Sequence, residues 1–339
     1  METAEDLGER KIIELILKQL EPMPNMPVPF GDDVSAIDIG RGKLIAVKTD
    51  MLVGKTDMPH QMSVQQAARK AVIMNISDLA AKGIKPAALL VSIGVPRGFK
   101  KRDIIQIGEG LNQGAREYGA YILGGDTSEA SDLIISCAAF GVGEKRRLIL
   151  RSGAKPGDFV AVTGFFGKTA AGLRLLLQNL KAPTALKRTL VDSVLNPQAR
   201  LREGLALAST DALTASIDSS DGLAWSLHEI LRASNVGFLI DRLPLAEEAE
   251  QIAKLHGLDP VELCLYGGEE YELVVTIKPE KWKKVCEQVH LIRIGRVTKE
   301  KSVIFKQGKK TLSIEARGWE HFKTSLSDTM TLTRRHGSK

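Results

Sequence analysis

Most of the usual chemical signposts are missing from this sequence. Three of the 339 residues are cysteine, Cys137, Cys264 and Cys286, and no two form a C-x-x-C pair. This excludes a disulfide scaffold or a cysteine-rich zinc site and points to a reducing, cytoplasmic setting. The six histidines show no H-E-x-x-H or similar zinc spacing. No run approaches the ~20 consecutive apolar residues of a membrane-spanning helix. The acidic start Met-Glu-Thr-Ala-Glu-Asp lacks the apolar segment of a signal peptide. The P-loop pattern G-x-x-x-x-G-K-[ST] is also absent: Gly54-Lys55-Thr56 has Thr49 at the first glycine position, and Gly167-Lys168-Thr169 has Val162. No G-x-G-x-x-G opens a helix after a strand.

The net charge is +6, but Lys and Arg are spread along the chain. No nucleic-acid partner and no membrane are expected. The length suggests two domains at ~150 residues each. Helical spacing of Ile12, Ile13, Ile16, Leu17 and Leu20 predicts an amphipathic helix over 12–20, and Pro22, Pro24, Pro27 and Pro29 then forbid one. Strands are expected at 34–39, 44–47, 88–95 and 133–142. Helices are expected at 64–82, capped by Gly83, and at 102–118, with Ile104, Ile105, Gly108, Leu111 and Ala115 on the apolar side. The polar stretch 151–158, with Gly153, Pro156 and Gly157, marks a boundary. The alternation then restarts: strands at 159–163, 214–217, 236–241, 271–277 and 291–298, and helices at 168–180, 198–210, 221–234, 246–256 and 279–288. Each half reads as an α/β or α+β unit. The expected division is 1–147, 148–325 and a polar tail over 326–339.

What is present in quantity is aspartate beside Gly, Ser or Thr. The segments are Gly31-Asp32-Asp33, Thr49-Asp50, Asn75-Ile76-Ser77-Asp78, Gly124-Gly125-Asp126-Thr127 and Asp218-Ser219-Ser220-Asp221-Gly222. Singly, each reads as an ordinary turn or helix cap. Gathered together, Asp33, Asp50, Asp78, Asp126, Asp218 and Asp221 would repel unless a counter-charge joined them. A hard divalent cation such as Mg²⁺ takes carboxylate and phosphate oxygens, and small neighbours let backbone N–H groups approach the same phosphates.

In this order the segments resemble the thiamine-monophosphate kinase family, of the aminoimidazole ribonucleotide synthetase-like superfamily. Further matching motifs are Arg-Ser-Gly-Ala-Lys-Pro-Gly-Asp at 151–158, Gly-Gly-Glu-Glu-Tyr-Glu-Leu at 267–273 and Gly-Trp-Glu-His-Phe at 318–322. The resemblance covers roughly Leu7 to Phe322. It implies a two-domain fold whose N-terminal sheet forms a barrel in a homodimer and whose C-terminal half is an α/β domain. It implies direct in-line transfer from ATP to thiamine phosphate with several Mg²⁺ ions. Metal ligands are then expected at Asp33, Thr49, Asp50, Asp78, Asp126, Asp218 and Asp221. ATP contacts are expected at Tyr118, Gly125, Asp126, Arg151 and Ser220, and substrate contacts at Asp57, Glu269, Glu270 and Trp319. Asp78, Asp126, Asp218 and Arg151 carry the catalytic expectation. The chain departs from the family pattern at Lys48, where Ser is usual, at Asp57, where His is usual, and at Glu270, where Asp is usual. The alternatives are another ATP-dependent enzyme of the superfamily, such as aminoimidazole ribonucleotide synthetase, and a non-catalytic nucleotide- or nucleic-acid-binding relative. Selenophosphate synthetases carry an N-terminal Cys or selenocysteine and the hydrogenase-maturation enzymes a C-terminal Cys. This sequence shows neither, its first cysteine being Cys137 and its last residues Gly337-Ser338-Lys339.

Overall fold

The computed structural model describes residues 2–308 and 310–322. The polar tail expected over 326–339 lies outside them. Two sheets organise the chain. The N-terminal part runs α1 (Ala4–Leu7), α2 (Glu9–Leu17), β1 (Ser35–Gly40), β2 (Lys43–Val53), α3 (Gly54–Asp57), α4 (Val64–Ala81), β3 (Pro86–Val95), α5 (Lys101–Glu117), β4 (Tyr121–Glu129) and β5 (Ile134–Glu144). Its five strands lie in the order β1-β2-β5-β3-β4. Only β3 and β4 are parallel, and α5 supplies the crossover that a parallel pair needs.

The C-terminal part runs β6 (Phe159–Val162), α6 (Lys168–Leu177), α7 (Thr184–Leu195), α8 (Leu201–Ala208), β7 (Leu213–Asp218), α9 (Leu223–Ser234), β8 (Gly237–Ile240), α10 (Glu247–His256), α11 (Pro260–Tyr266), β9 (Leu273–Ile277), α12 (Trp282–Cys286), β10 (Ile292–Thr298), β11 (Val303–Gln307) and β12 (Lys310–Ser313). Its seven strands lie in the order β12-β11-β8-β10-β6-β9-β7. Among the described residues no helix is long and apolar enough to cross a membrane.

Helix α4 joins the two parts. Ser63 starts it with a capping box: its hydroxyl accepts from the Gln66 N–H, and the Gln66 side chain accepts from the Ser63 N–H. Fourteen of its eighteen residues are buried, so it has almost no solvent face. One side packs on β2, β5 and α5, and the other on α8 and β7. Gly83 ends it at φ +66°, donating to the Ala80 carbonyl while Ile84 donates to that of Leu79. A Cβ at Gly83 would lie 2.2 Å from that of Ala208.

Several expected elements differ from those observed. Strand β2 runs on to Val53, because Lys48, Thr49 and Asp50 stay in the ladder despite interrupting the apolar pattern. Strand β4 was not expected, since Gly124, Gly125 and Asp126 interrupt its strand-forming residues and most of it is exposed at the sheet edge. Helices α7 and α11 and strands β11 and β12 were also not expected. On α5 the buried face is Ile107, Gly110, Leu111, Gly114 and Ala115, while Ile104 and Ile105 are exposed. Within one chain the five-stranded sheet is open. The face turned away from α4 and α5 exposes Ile37, Val47, Met51, Leu90, Leu123 and Val142.

Candidate active site

The carboxylates converge where α4 meets β7. Asp33 comes from the turn before β1, Asp78 from the last turns of α4, and Asp218 from the end of β7. Each offers an oxygen, and the three atoms lie within 4.8 Å of one another. All three residues are at most 5% exposed. Asp50 points the same way from β2. Its N–H donates to the side chain of buried Asn75, which also donates to the Ala71 carbonyl, so the helix fixes the strand beside it. The Ser77 hydroxyl donates to Asp218 at 2.7 Å and closes the junction between the two parts.

Three cations hold this centre together. Lys82 is fully buried; its ammonium pairs with Asp32 at 2.7 Å and with Asp33 at 2.8 Å, and donates to the Ser216 carbonyl at 2.7 Å. Arg151 grips Asp33, donating through Nε at 2.6 Å, and donates to the Gly31 carbonyl at 2.9 Å. Lys48 lies 3.2 Å from Asp50 and 3.1 Å from Asp78. Burial pushes the Asp78 carboxyl well above the usual range; Lys48 opposes this, and Asp218, Asp50 and Asp33 add to it. Burial, reinforced by Asp33, pushes Asp218 up to about 7. Asp33 is also buried, but Arg151 and Lys82 outweigh that and hold it below the usual range. Such a group of oxygen donors, two of them poorly ionised without added positive charge, suits a hard divalent cation.

A second strip runs outward from Asp218. Ser220 accepts at its carbonyl from the Glu269 N–H at 2.6 Å, and Ser219 from that of Tyr271 at 2.9 Å. Glu269 and Tyr271 have φ of +63° and +53°, a conformation that side-chain-bearing residues rarely adopt. The twist sends successive glutamates in different directions. Glu269 reaches across to pair with buried Lys70 on α4. Glu270 turns inward and accepts from the Gly167 and Thr169 N–H groups at the start of α6. Burial pushes Glu270 up to about 8. Trp319 donates its backbone N–H to the Asp221 carbonyl at 3.0 Å, and its side chain lies beside Gly268. Asp221 also meets Arg10, which stacks 3.5 Å over the Trp225 ring and pairs with Glu229.

Other expected residues are not among the three grouped carboxylates. Thr49 is on the opposite face of β2 from Asp50, with its hydroxyl donating to the Cys137 carbonyl at 3.0 Å. The Asp57 carboxylate accepts from the Val53 N–H at 2.7 Å and so closes its own turn. The Tyr118 hydroxyl accepts from the Ala199 N–H at 2.9 Å, bridging the two parts. Asp126 is exposed on edge strand β4 and is not one of the three grouped carboxylates. Gly125 precedes it, just past an irregularity in the β3–β4 register where a Cβ would lie 1.7 Å from the Val91 carbonyl oxygen. Lys70 and Lys82 were not singled out from sequence. The one available signal was Lys82 standing four residues after Asp78, on the same helical face.

The fold has counterparts among known proteins. The chain matches the family AIR synthase related protein, N-terminal domain, over residues 31–143 and AIR synthase related protein, C-terminal domain, over residues 155–307. Among curated proteins it is 40% identical to the thiamine-monophosphate kinase of Pyrococcus abyssi, over 93% of this chain and 96% of that one. It is 36% identical to that of Bacillus subtilis, over 94% and 100%. A solved structure described as AaThiL complexed with AMPPCP and TMP superposes with a TM-score of 0.83 at 28% identity, covering 95% of this chain and 99% of that one. The architecture is thus that of the AIR synthase-related proteins. Within them, the chain belongs to the thiamine-monophosphate kinase family.

Proposed function

We propose that this chain transfers the γ-phosphoryl group of ATP to thiamine phosphate, giving thiamine diphosphate and ADP, and that it does so with Mg²⁺. The observation that carries this reading is the buried Asp33–Asp78–Asp218 group at the junction of the two parts, in a chain of this family. Asp33, Asp78 and Asp218, with Asp50 and Asp221 beside them, would hold the ions. Bound Mg²⁺ neutralises phosphate oxygens, so that two anions can approach. The protein groups position rather than react. Arg151, fixed by Asp33 and Gly31, presents a charge that cannot be lost at ordinary pH. We place ATP along Tyr118, Gly125, Asp126, Arg151 and Ser220, and the thiamine moiety by Glu269 and Trp319. There the indole can face the cationic ring for ~0.5–2 kcal/mol. The acceptor is a phosphate monoester with a second pKa of ~6, already largely anionic, so no general base is needed.

The division at 147/148 is taken as the domain boundary. A second copy of the chain is proposed to cover the apolar outer face of the five-stranded sheet, closing the open sheets into a barrel; an exposed face of this kind is characteristic of an interface. A cytoplasmic location accords with three free cysteines. The test is purified protein with ATP, Mg²⁺ and thiamine phosphate, the product being read by chromatography. Thiamine diphosphate is expected, with free thiamine a poor acceptor, because a hydroxyl would need a base. Phosphorylation of thiamine but not of thiamine phosphate would overturn the proposal.

A further inference from the structure

We propose that the Lys48 ammonium is a resident cation of the carboxylate centre, holding the position between Asp50 and Asp78 that a divalent ion would otherwise take. The strand's alternation carries Lys48 inward: Leu44, Ala46 and Leu52 are buried on that face, and Lys48 and Asp50 are half-buried between them. Asp50 comes from β2 and Asp78 from α4, so the two carboxylates approach from different elements and repel unless positive charge bridges them. Lys48 is that bridge, at 3.2 and 3.1 Å.

Its setting differs from that of the other lysine in the centre. Lys82 is fully enclosed and has a backbone carbonyl among its acceptors, as a structural tie would. The partners of Lys48 are both carboxylates, and its side chain is 22% exposed, so it stands at the open side of the group. A tethered single charge there competes with any ion that would use the same two oxygens. The chain therefore meets part of its own need for cations, and the affinity or number of its divalent ions is set below what the carboxylates alone would give.

This inference rests on the centre binding metal, and the experiment separates the two. Mn²⁺ is titrated, without nucleotide, into the full chain and into Lys48→Ala, Lys48→Gln and Lys48→Arg. Free Mn²⁺ is followed by electron paramagnetic resonance and folding by circular dichroism. Lys48→Ala and Lys48→Gln are expected to bind one more ion per chain, or the same number at least about tenfold more tightly, since a unit charge a few ångströms away has been removed. Lys48→Arg keeps the charge and is expected to match the unsubstituted protein. Lys48→Gln retains most of the side-chain bulk and gives the same reading should the alanine variant unfold. Binding of equal number and affinity by Lys48→Gln and the unsubstituted protein overturns the role of Lys48 and leaves the metal centre standing. Absence of Mn²⁺ binding by all four proteins overturns both.

Discussion

Replacing Asp78 by Asn separates the cost of the acidic centre to the fold from its value to the reaction. Asp78 is 5% exposed and lies among Asp33, Asp50 and Asp218, with Lys48 as its ion-pair partner. Burial raises its folded pKa well above 3.8. A carboxyl raised in this way holds a proton that the unfolded chain has released. Its favourable contribution is complete below about pH 4 and is lost as pH rises through the folded value. Asn keeps the shape of the protonated acid at every pH, and its side-chain oxygen can still accept from Lys48. Without metal, Asp78→Asn is therefore expected to melt no lower than the parent at pH 7, and its relative stability should grow with pH. The reaction should respond in the opposite sense. Losing a charged ligand where transition-state charge develops costs at least about 100-fold in turnover, about 2.7 kcal/mol. The assays are thermal melts with and without Mg²⁺, and thiamine diphosphate formation at saturating ATP and thiamine phosphate. The parent should gain more stability from Mg²⁺ than the variant. Parental turnover in a folded Asp78→Asn protein would remove this carboxylate from the reaction and refute the assignment of the centre.

Other perturbations follow the same logic. Lys82→Met leaves Asp32 and Asp33 buried without their shared ammonium, and a loss of ~3–5 kcal/mol is expected in urea unfolding; a loss under ~1 would refute the account of Lys82. Glu270→Gln preserves the carbonyl-type oxygen that accepts from Gly167 and Thr169. Because the Glu270 pKa is raised from 4.5 to about 8, the parent should lose stability relative to the variant by at most ~1.4 kcal/mol per pH unit between those values, and a pH-independent difference would contradict the buried carboxyl. Leu123→Glu places a charge on a residue 64% exposed in the single chain; it should convert a dimer to a monomer in light scattering with little change in the circular dichroism spectrum, and an unchanged mass would move the interface elsewhere.

The acidic residues could be found in the sequence because each sits in a short segment whose Gly, Ser and Thr neighbours have a local reason to be there. Helix α4 was legible for a related reason. A Ser63–Gln66 box opens it and Gly83 closes it, both within a few residues of chain. Helix α7 carries a signal of the same local kind, with Leu186, Leu190 and Val194 buried at four-residue spacing. Strand β4 could not be read in that way. Tyr121, Ile122 and Thr127 favour a strand, but Gly124, Gly125 and Asp126 between them do not, and the parallel partner β3 holds them in one. The burial of α5 shows the same limit: spacing defined a helix, but the approach of α4 chose Ile107 and Gly110 for the interior over Ile104 and Ile105. Electrostatics lay furthest from the sequence. Glu269 and Glu270 are adjacent and chemically alike, yet left-handed backbone at 269 and 271 sends one to Lys70 and the other to the start of α6. Arg151 stands in a family motif and Lys48 at a departure from the family pattern, but nothing in the order of residues pairs either of them, or Lys82, with a particular carboxylate. They become counter-charges only because β2, the end of α4 and the segment before β6 bring them to the same carboxylates, and a charge pair depends on separation in space, which residue order does not encode.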